Sequence, residues 1–462
     1  MLFNSYPFIF MFLPVTLIVY FVLNRLRWTI AAKTSLTLAS LFFYGYWDPE
    51  YLPLMLGSIV FNYLIGWWLA RWSDRSVGKR RAVLIFGLVV DLGLLGYYKY
   101  ANFFLENLGE LTGNTYSTLQ IILPLGISFF TFTQIAFLVD AYKGKAKEFN
   151  FISYTLFVTF FPHLIAGPIL HHGEMMPQFD RKRNKVWNWP NVAKGVYIFC
   201  IGLFKKVVIA DTFALYANDG FAKASTFADS WVASLSYTFQ LYFDFSGYTD
   251  MAIGIALLFN IRLPQNFNSP YKAVSITDFW RRWHMTLSRW LRDYIYIPLG
   301  GNRRGFSIAN RNLIITFLLG GLWHGAGWTF IIWGAMHGVG QAIQRVWTRR
   351  GKPLPTWLAW FITFMFINAT WVFFRAEDFH QALRILKGMI GLNGFGFDQI
   401  ANLKTPIVLI VLFLPFVLML KNSSEKEATM RPSLKTALWI AVLFVISLLY
   451  LNRISTFLYF NF

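Results

Sequence analysis

Long apolar runs separated by short, mostly basic loops dominate the pattern of this chain. The runs at about 7–23, 29–47, 51–70, 82–98 and 119–140 approach the roughly 20 residues that carry a helix through a hydrocarbon core of about 30 Å. Arg25 and Arg27 follow the first run. Arg71, Arg75, Lys79, Arg80 and Arg81 follow the third, and Lys143, Lys145 and Lys147 the fifth. The loops at 47–50 and 101–117 are nearly free of Lys and Arg. This alternation puts the amino terminus outside and the basic loops inside.

The next segment, FISYTLFVTFFPHLIAGPIL (151–170), breaks the alternation, because the basic run Arg181, Lys182, Arg183 and Lys185 follows it. Both flanks then belong inside. A re-entrant segment interrupted at Pro162, Gly167 and Pro168 accounts for that, and a kinked full span with a miscounted neighbour is the alternative. Residues 190–216 carry Lys205 and Lys206 in mid-run and read as an interfacial helix with snorkelling lysines, followed by a second short helix. Residues 231–259 read as a long span. Residues 270–305 have helical periodicity but too much charge to face lipid, which predicts an inward-facing or interfacial helix pair. Further spans are expected at about 312–343, 356–375, 404–420 and 435–452. The polar stretch KNSSEKEATMRPSLK (421–435) reads as a flexible loop. The pattern predicts an all-α polytopic membrane protein with one integral domain over 1–462.

Composition agrees. Of 462 residues, 56% are hydrophobic and only 14% charged, well below the quarter typical of soluble domains. The formal net charge of +20 lies in loops, where it sets topology and meets anionic lipid; no stacked aromatic-basic module points to nucleic acid. One cysteine, Cys200, excludes an intramolecular disulfide and a thiolate metal site. The first run lacks a basic leader and a small-residue cleavage site, and so reads as a retained span.

Candidate chemistry rests on histidine. His324 lies in GGLWHGAGWTFIIWGAMHG (320–338), apolar enough for membrane depth, where an ionisable group usually marks a pathway or a reaction centre. An imidazole with an ordinary pKa near 6.5 is neutral at pH 7 and can take a hydroxyl proton. His284, in the basic-aromatic stretch DFWRRWHMTLSRW, can assist, orient or support the fold. His337, 13 residues after His324, can share a face of the same helix or make a helix-terminal hydrogen bond. His163, His171, His172 and His380 complete the seven. There is no GxSxG, no HExxH and no histidine pair at helical spacing, so no metal site is expected. Asp244, in YFDFSGYTDM, is expected to pair with an arginine of the 281–292 stretch, or with those arginines to hold a phosphate.

These residues carry a resemblance. LPLGISFFTF (123–132), FPHLIAGPIL (161–170), QLYFDFSGYTDMAIG (240–254), FWRRWHMTLSRWLRDYIYIPLGGNRRG (279–305), LLGGLWHGAGWTFIIWGAMHG (318–338), WVFFRAEDF (371–379) and FLYF (457–460) resemble the membrane-bound O-acyltransferases, in particular their bacterial exopolysaccharide-acetylating branch. The resemblance implies about a dozen helices, some short or re-entrant, around a central tunnel. It implies that His324 is catalytic and that His284 lines the same tunnel. Trp323, Trp283, Arg281, Arg282 and Asp244 are the expected substrate-contacting residues. It further implies an acetyl donor on the cytoplasmic side, acetyl-coenzyme A, with no tightly bound cofactor. The acetyl group would pass across the bacterial inner membrane to a serine-hydrolase-like periplasmic partner within an exopolysaccharide synthesis complex. Alginate is the expected polymer, with cellulose or another exopolysaccharide as alternatives. A transporter of an acyl intermediate without bond chemistry, or a scaffold, are the readings from other classes.

Overall fold

A computed structural model describes residues 1–47, 49–72, 76–146, 150–351, 353–397, 399–400, 402–452 and 458. Asp48, the basic-loop residues Arg75 and Lys147, and all of the 457–460 motif except Leu458 lie outside them. The described residues form helices and connections, with no strand among them. That is the all-α membrane architecture predicted from the hydrophobic pattern. Among the described residues, four helices are by themselves long and apolar enough to cross a bilayer: Phe8–Arg25, Pro49–Arg71, Val77–Thr112 and Thr356–Arg375. A fifth span exists if Lys404–Met419 and Ser423–Thr429, bent by 50° at a short break, are taken together. Other expected spans are shorter helices: Ile127–Tyr142 has 16 residues and Leu434–Tyr450 has 17, about 24–26 Å at the helical rise.

Contacts divide the chain into two compact units, one of residues 1–199 and 248–264, the other of 200–247 and 265–462. In the first unit, Leu13–Arg25 and Thr29–Gly45 pack against one another across a short turn. Phe3, Phe8, Phe43 and Phe161 form its aromatic centre, with ring centroids 5.1–6.0 Å apart. The helix expected at 82–98 runs from Val77 to Thr112, because the polar residues beyond each end of the apolar run continue the helix. The 151–170 segment is broken as its prolines and glycine predict. Phe151–Thr159 ends at Phe160, a single turn Phe161–Leu164 follows, and helix resumes only at His172–Asp180. A side chain at Gly167 would fall 2.3 Å from the Cα of His163, four residues earlier, so only glycine fits the turn closed there by the Gly167 N–H donating to the His163 carbonyl at 3.1 Å.

The second unit departs from the sequence reading in four places. The single span expected at 312–343 is two helices, Phe306–His324 and Trp328–Arg349, separated by Gly325–Ala326–Gly327. The lysine pair at 205–206 does not snorkel. It opens a π-helical stretch, Lys205–Ala210, and Lys206 is buried. The polar 421–435 stretch holds a short helix, Ser423–Thr429, started by a capping box in which the Asn422 side chain accepts from the Glu425 N–H and Glu425 accepts from the Asn422 N–H. Phe379–Met389, where no element was expected, is an amphipathic helix that buries Ala382, Ile385 and Met389.

Candidate active site

Glycine shapes the helical hairpin that presents His324. A Cβ at Gly321 would stand 2.3 Å from the Phe330 carbonyl oxygen, and one at Gly334 would stand 2.4 Å from the Phe317 carbonyl oxygen. A Cβ at Gly338 would meet the Ile314 Cα at 2.9 Å. The two helices therefore run antiparallel with backbone against backbone, the close approach that small residues permit between membrane helices. The turn between them is as tight. Phe330 folds over it, 2.2 Å from where a Gly325 Cβ would be. His324 is the last residue of its helix, since Gly325 leaves helical geometry for extended backbone.

The His324 ring is buried among Trp323, Trp333 and Phe374, with centroids 4.9, 5.0 and 5.1 Å away and every ring edge-on. His337 lies one helical turn beyond Trp333, on the second helix of the hairpin rather than on a shared helix with His324. Both of its nitrogens are used. Nδ1 accepts from the Trp280 indole N–H at 3.1 Å, and Nε2 lies 3.1 Å from the Thr370 hydroxyl. That hydroxyl donates to the Ile367 carbonyl, so a neutral ring protonated on Nε2 satisfies the set. His337 therefore has a structural hydrogen-bonding role, made from the middle of its helix to neighbouring helices and not at a helix end as expected.

His284 is different. It is the corner residue between Ile276–Trp280 and Met285–Leu291, with φ 42° and ψ 53°. A non-glycine residue in this left-handed region costs on the order of 1–3 kcal/mol and persists only where its surroundings enforce it. The ring is fully buried, 4.8 Å from Phe245 and 6.3 Å from Trp323. Neither ring nitrogen has a hydrogen-bond partner among the described residues. Buried polar atoms are nearly always paired, so this imidazole on a strained backbone is an exception that hydrogen bonding among the described residues does not account for. Trp323 thus borders both His284 and His324.

The other expected contact residues divide. Trp283 belongs to the same aromatic cluster, 4.9 Å from Trp371, which in turn lies 5.9 Å from Trp333. Arg281 is exposed. Arg282 is half-buried and ion-paired with Asp278 at 2.9 Å, and Ser275 caps the helix that carries Asp278. Asp244 is buried, but its partner is not an arginine. It meets Lys206 at 2.7 Å, Lys206 also meets Asp211 at 2.8 Å, and the Leu458 N–H donates to Asp244 at 3.1 Å. The pairing followed Lys206 because the π-helical turn carries that lysine inward; Gly247 allows the approach, with a Cβ there only 2.8 Å from the Gly202 carbonyl. Sequence reasoning missed Asn266, which contacts the residues after His284, and Thr370, the partner of His337. No local signal distinguishes either from an ordinary polar residue. Among the described residues no three His, Cys, Asp or Glu side chains are grouped to share a metal.

Known proteins complete the picture. Residues 139–376 match the model of the membrane-bound O-acyltransferase (MBOAT) family, a span that contains both histidines and the glycine hairpin. The chain is 52% identical to the peptidoglycan O-acetyltransferase of Helicobacter pylori, over 87% of this chain and 82% of that protein. It is 45% identical to the probable alginate O-acetylase AlgI of Pseudomonas aeruginosa, over 87% of this chain and 77% of that one. It is 31% identical to the teichoic acid D-alanyltransferase of Bacillus subtilis, over 57% of this chain and 71% of the relative. A multi-pass helical chain with apolar-buried histidines and this breadth of similarity belongs to the membrane-bound O-acyltransferase family.

Proposed function

We propose that this O-acyltransferase takes an acetyl group from a cytoplasmic thioester donor, acetyl-coenzyme A, and delivers it across the bacterial inner membrane for O-acetylation of a polysaccharide. His324 acts as the general base: its neutral ring takes the proton of the acceptor hydroxyl while the oxygen attacks the acetyl carbonyl. The thiolate that leaves recovers a proton from the imidazolium. His284 assists from the other side of their common neighbour, Trp323. Trp323 and Trp283 serve as apolar walls, and Arg281, exposed and three residues before His284, meets the donor phosphates in this scheme. Both imidazoles are enclosed in this structure, so reaction requires the aromatic cover to part, and closure afterwards excludes water. The observation that carries the proposal is the pairing around Trp323: a buried imidazole at a helix end and a second one, strained and without a hydrogen-bond partner, touch the same indole.

The relatives' names supply two polymers, peptidoglycan at 52% identity and alginate at 45%. Alginate, the polymer expected from the motifs, is tested beside peptidoglycan. A serine-hydrolase-like periplasmic partner within the polymer's synthesis complex makes the final transfer in this scheme. A transporter without bond chemistry does not fit membership of an acyltransferase family. In cells producing each polymer, His324→Ala is expected to yield normal amounts of inserted protein and polymer stripped of its acetyl esters. Wild-type ester content in that variant would remove His324 from the chemistry.

A further inference from the structure

The strained corner at His284 is gripped from one neighbouring segment. Before the corner, the Asn268 N–H donates to the Arg282 carbonyl at 2.9 Å. After it, the Asn266 carbonyl accepts from the Met285 N–H at 3.0 Å. The Asn266 side chain adds two more contacts: Oδ1 accepts from the Thr286 N–H at 3.3 Å and from the Thr286 hydroxyl at 2.6 Å. His284 therefore lies between two backbone bonds to the 266–268 segment, and the first turn of the helix after it is capped not by its own N-cap residue but by Asn266. The N-cap position cannot do this job, because it is occupied by the imidazole. Asn266 is itself 1% exposed, and its Nδ2 has no hydrogen-bond partner among the described residues. Phe267, the residue between the two gripping positions, meets Phe245 and Trp283 edge-on at 5.0 Å each, and Phe245 is the ring against which His284 rests.

We infer that Asn266 is a positioning residue for acyl transfer: its Oδ1, through Thr286, fixes the left-handed backbone of His284 and so the direction in which the imidazole points. The inference rests on the catalytic reading of His284 given above. An αL corner without this second-segment clamp has a lower-energy extended form available to it, and the ring would turn away from Trp323 with it. The clamp needs only an acceptor at Oδ1. The unpaired Nδ2 is dispensable to it.

Transfer from acetyl-coenzyme A to a soluble hydroxyl acceptor is measured with the full-length protein in lipid vesicles, for Asn266→Ala, Asn266→Asp, Thr286→Ala, His284→Ala and the double variant Asn266→Ala/His284→Ala. Asn266→Ala is expected to lower kcat by about 10- to 100-fold, the usual effect of losing a group that orients an active-site ligand, with KM unchanged. Asn266→Asp keeps the acceptor and restores kcat to within a few-fold of wild type. Thr286→Ala, the variant to rely on if Asn266→Ala does not fold, reproduces a smaller kcat-only loss. The double variant is no slower than His284→Ala alone, since both act through one ring. Additive losses, an Asn266→Asp variant as slow as Asn266→Ala, or an undiminished kcat in Asn266→Ala and Thr286→Ala would each overturn the assignment. A wild-type kcat in His284→Ala would bring down the catalytic reading and this inference together, whereas a slow His284→Ala beside indifferent Asn266 and Thr286 variants would end this inference alone.

Discussion

Replacing Gly334 by alanine tests whether the glycine crossing sets the geometry of the site. The added Cβ would lie 2.4 Å from the Phe317 carbonyl oxygen, 3.1 Å from the Gly321 Cα and 3.2 Å from the Gly321 nitrogen. An ordinary carbon–oxygen contact is about 3.3 Å or more, so the shortfall is roughly 1 Å. All three obstacles are backbone atoms, and none can rotate aside. Two effects oppose one another. Alanine gains up to about 1 kcal/mol in helix propensity over glycine, while overpacking a tight interior costs about 1–3 kcal/mol. Because the neighbouring backbone must move as a unit, the clash is the larger effect, and a net loss of about 1–2 kcal/mol is expected. The rate should suffer more than stability. Gly334 is next to Trp333, whose ring is 5.0 Å from His324, and a displacement of about 1 Å at a reacting group can cost on the order of a hundredfold. The assay is acetyl transfer per folded molecule, with melting temperature followed in the same detergent. Gly93→Ala, where an added Cβ meets nothing within 4 Å, is the matched control. A Gly334→Ala protein that melts and transfers like wild type would refute the idea that the crossing holds the ring in place.

Two further outcomes follow from the buried polar groups. Lys206→Met removes the cation shared by Asp211 and Asp244; breaking a buried pair from one side costs about 3–5 kcal/mol, so the variant should show a large fall in melting temperature, and an unchanged melt would mean the triad is hydrated. His337→Leu strands the Trp280 indole N–H and removes the partner of Thr370. At about 1–3 kcal/mol for each stranded group it should lower stability while the folded fraction keeps transfer within a few-fold of wild type; a loss as complete as that of His324→Ala would give His337 a chemical part.

The membrane class and most helix positions were legible because an apolar run of about 20 residues has few other fates. Pro162 and Gly167 announced the broken 151–170 segment for a similarly local reason. The hairpin was not legible: Gly325 and Gly327 look like the small residues that ordinary membrane helices also carry, and the reversal shows only in three dimensions, where Gly321 and Gly334 bring the two backbones together. Lys206 misled because snorkelling is the default for a lysine in an otherwise apolar run, and its two carboxylate partners are 5 and 38 positions away in sequence with nothing local to pair them. In the site, His324 and His284 stood out as ionisable groups in apolar or aromatic runs. The features that distinguish His284 from His337 did not. Which imidazole has used up its nitrogens depends on Trp280 and Thr370, and which has a strained backbone depends on Asn266, all contacts made only in three dimensions.

The glycine crossing also says which parts of the enclosure can yield. With no side chain between Gly321 and Gly334, the hairpin has no rotamer to change and behaves as a stiff post carrying His324 at its tip. Admission of a substrate to a ring sealed from solvent then falls to the panels around the post. Phe374, against His324, and Phe245, against His284, each stand on another helix, so neither of these two covering rings is fixed by the glycine crossing.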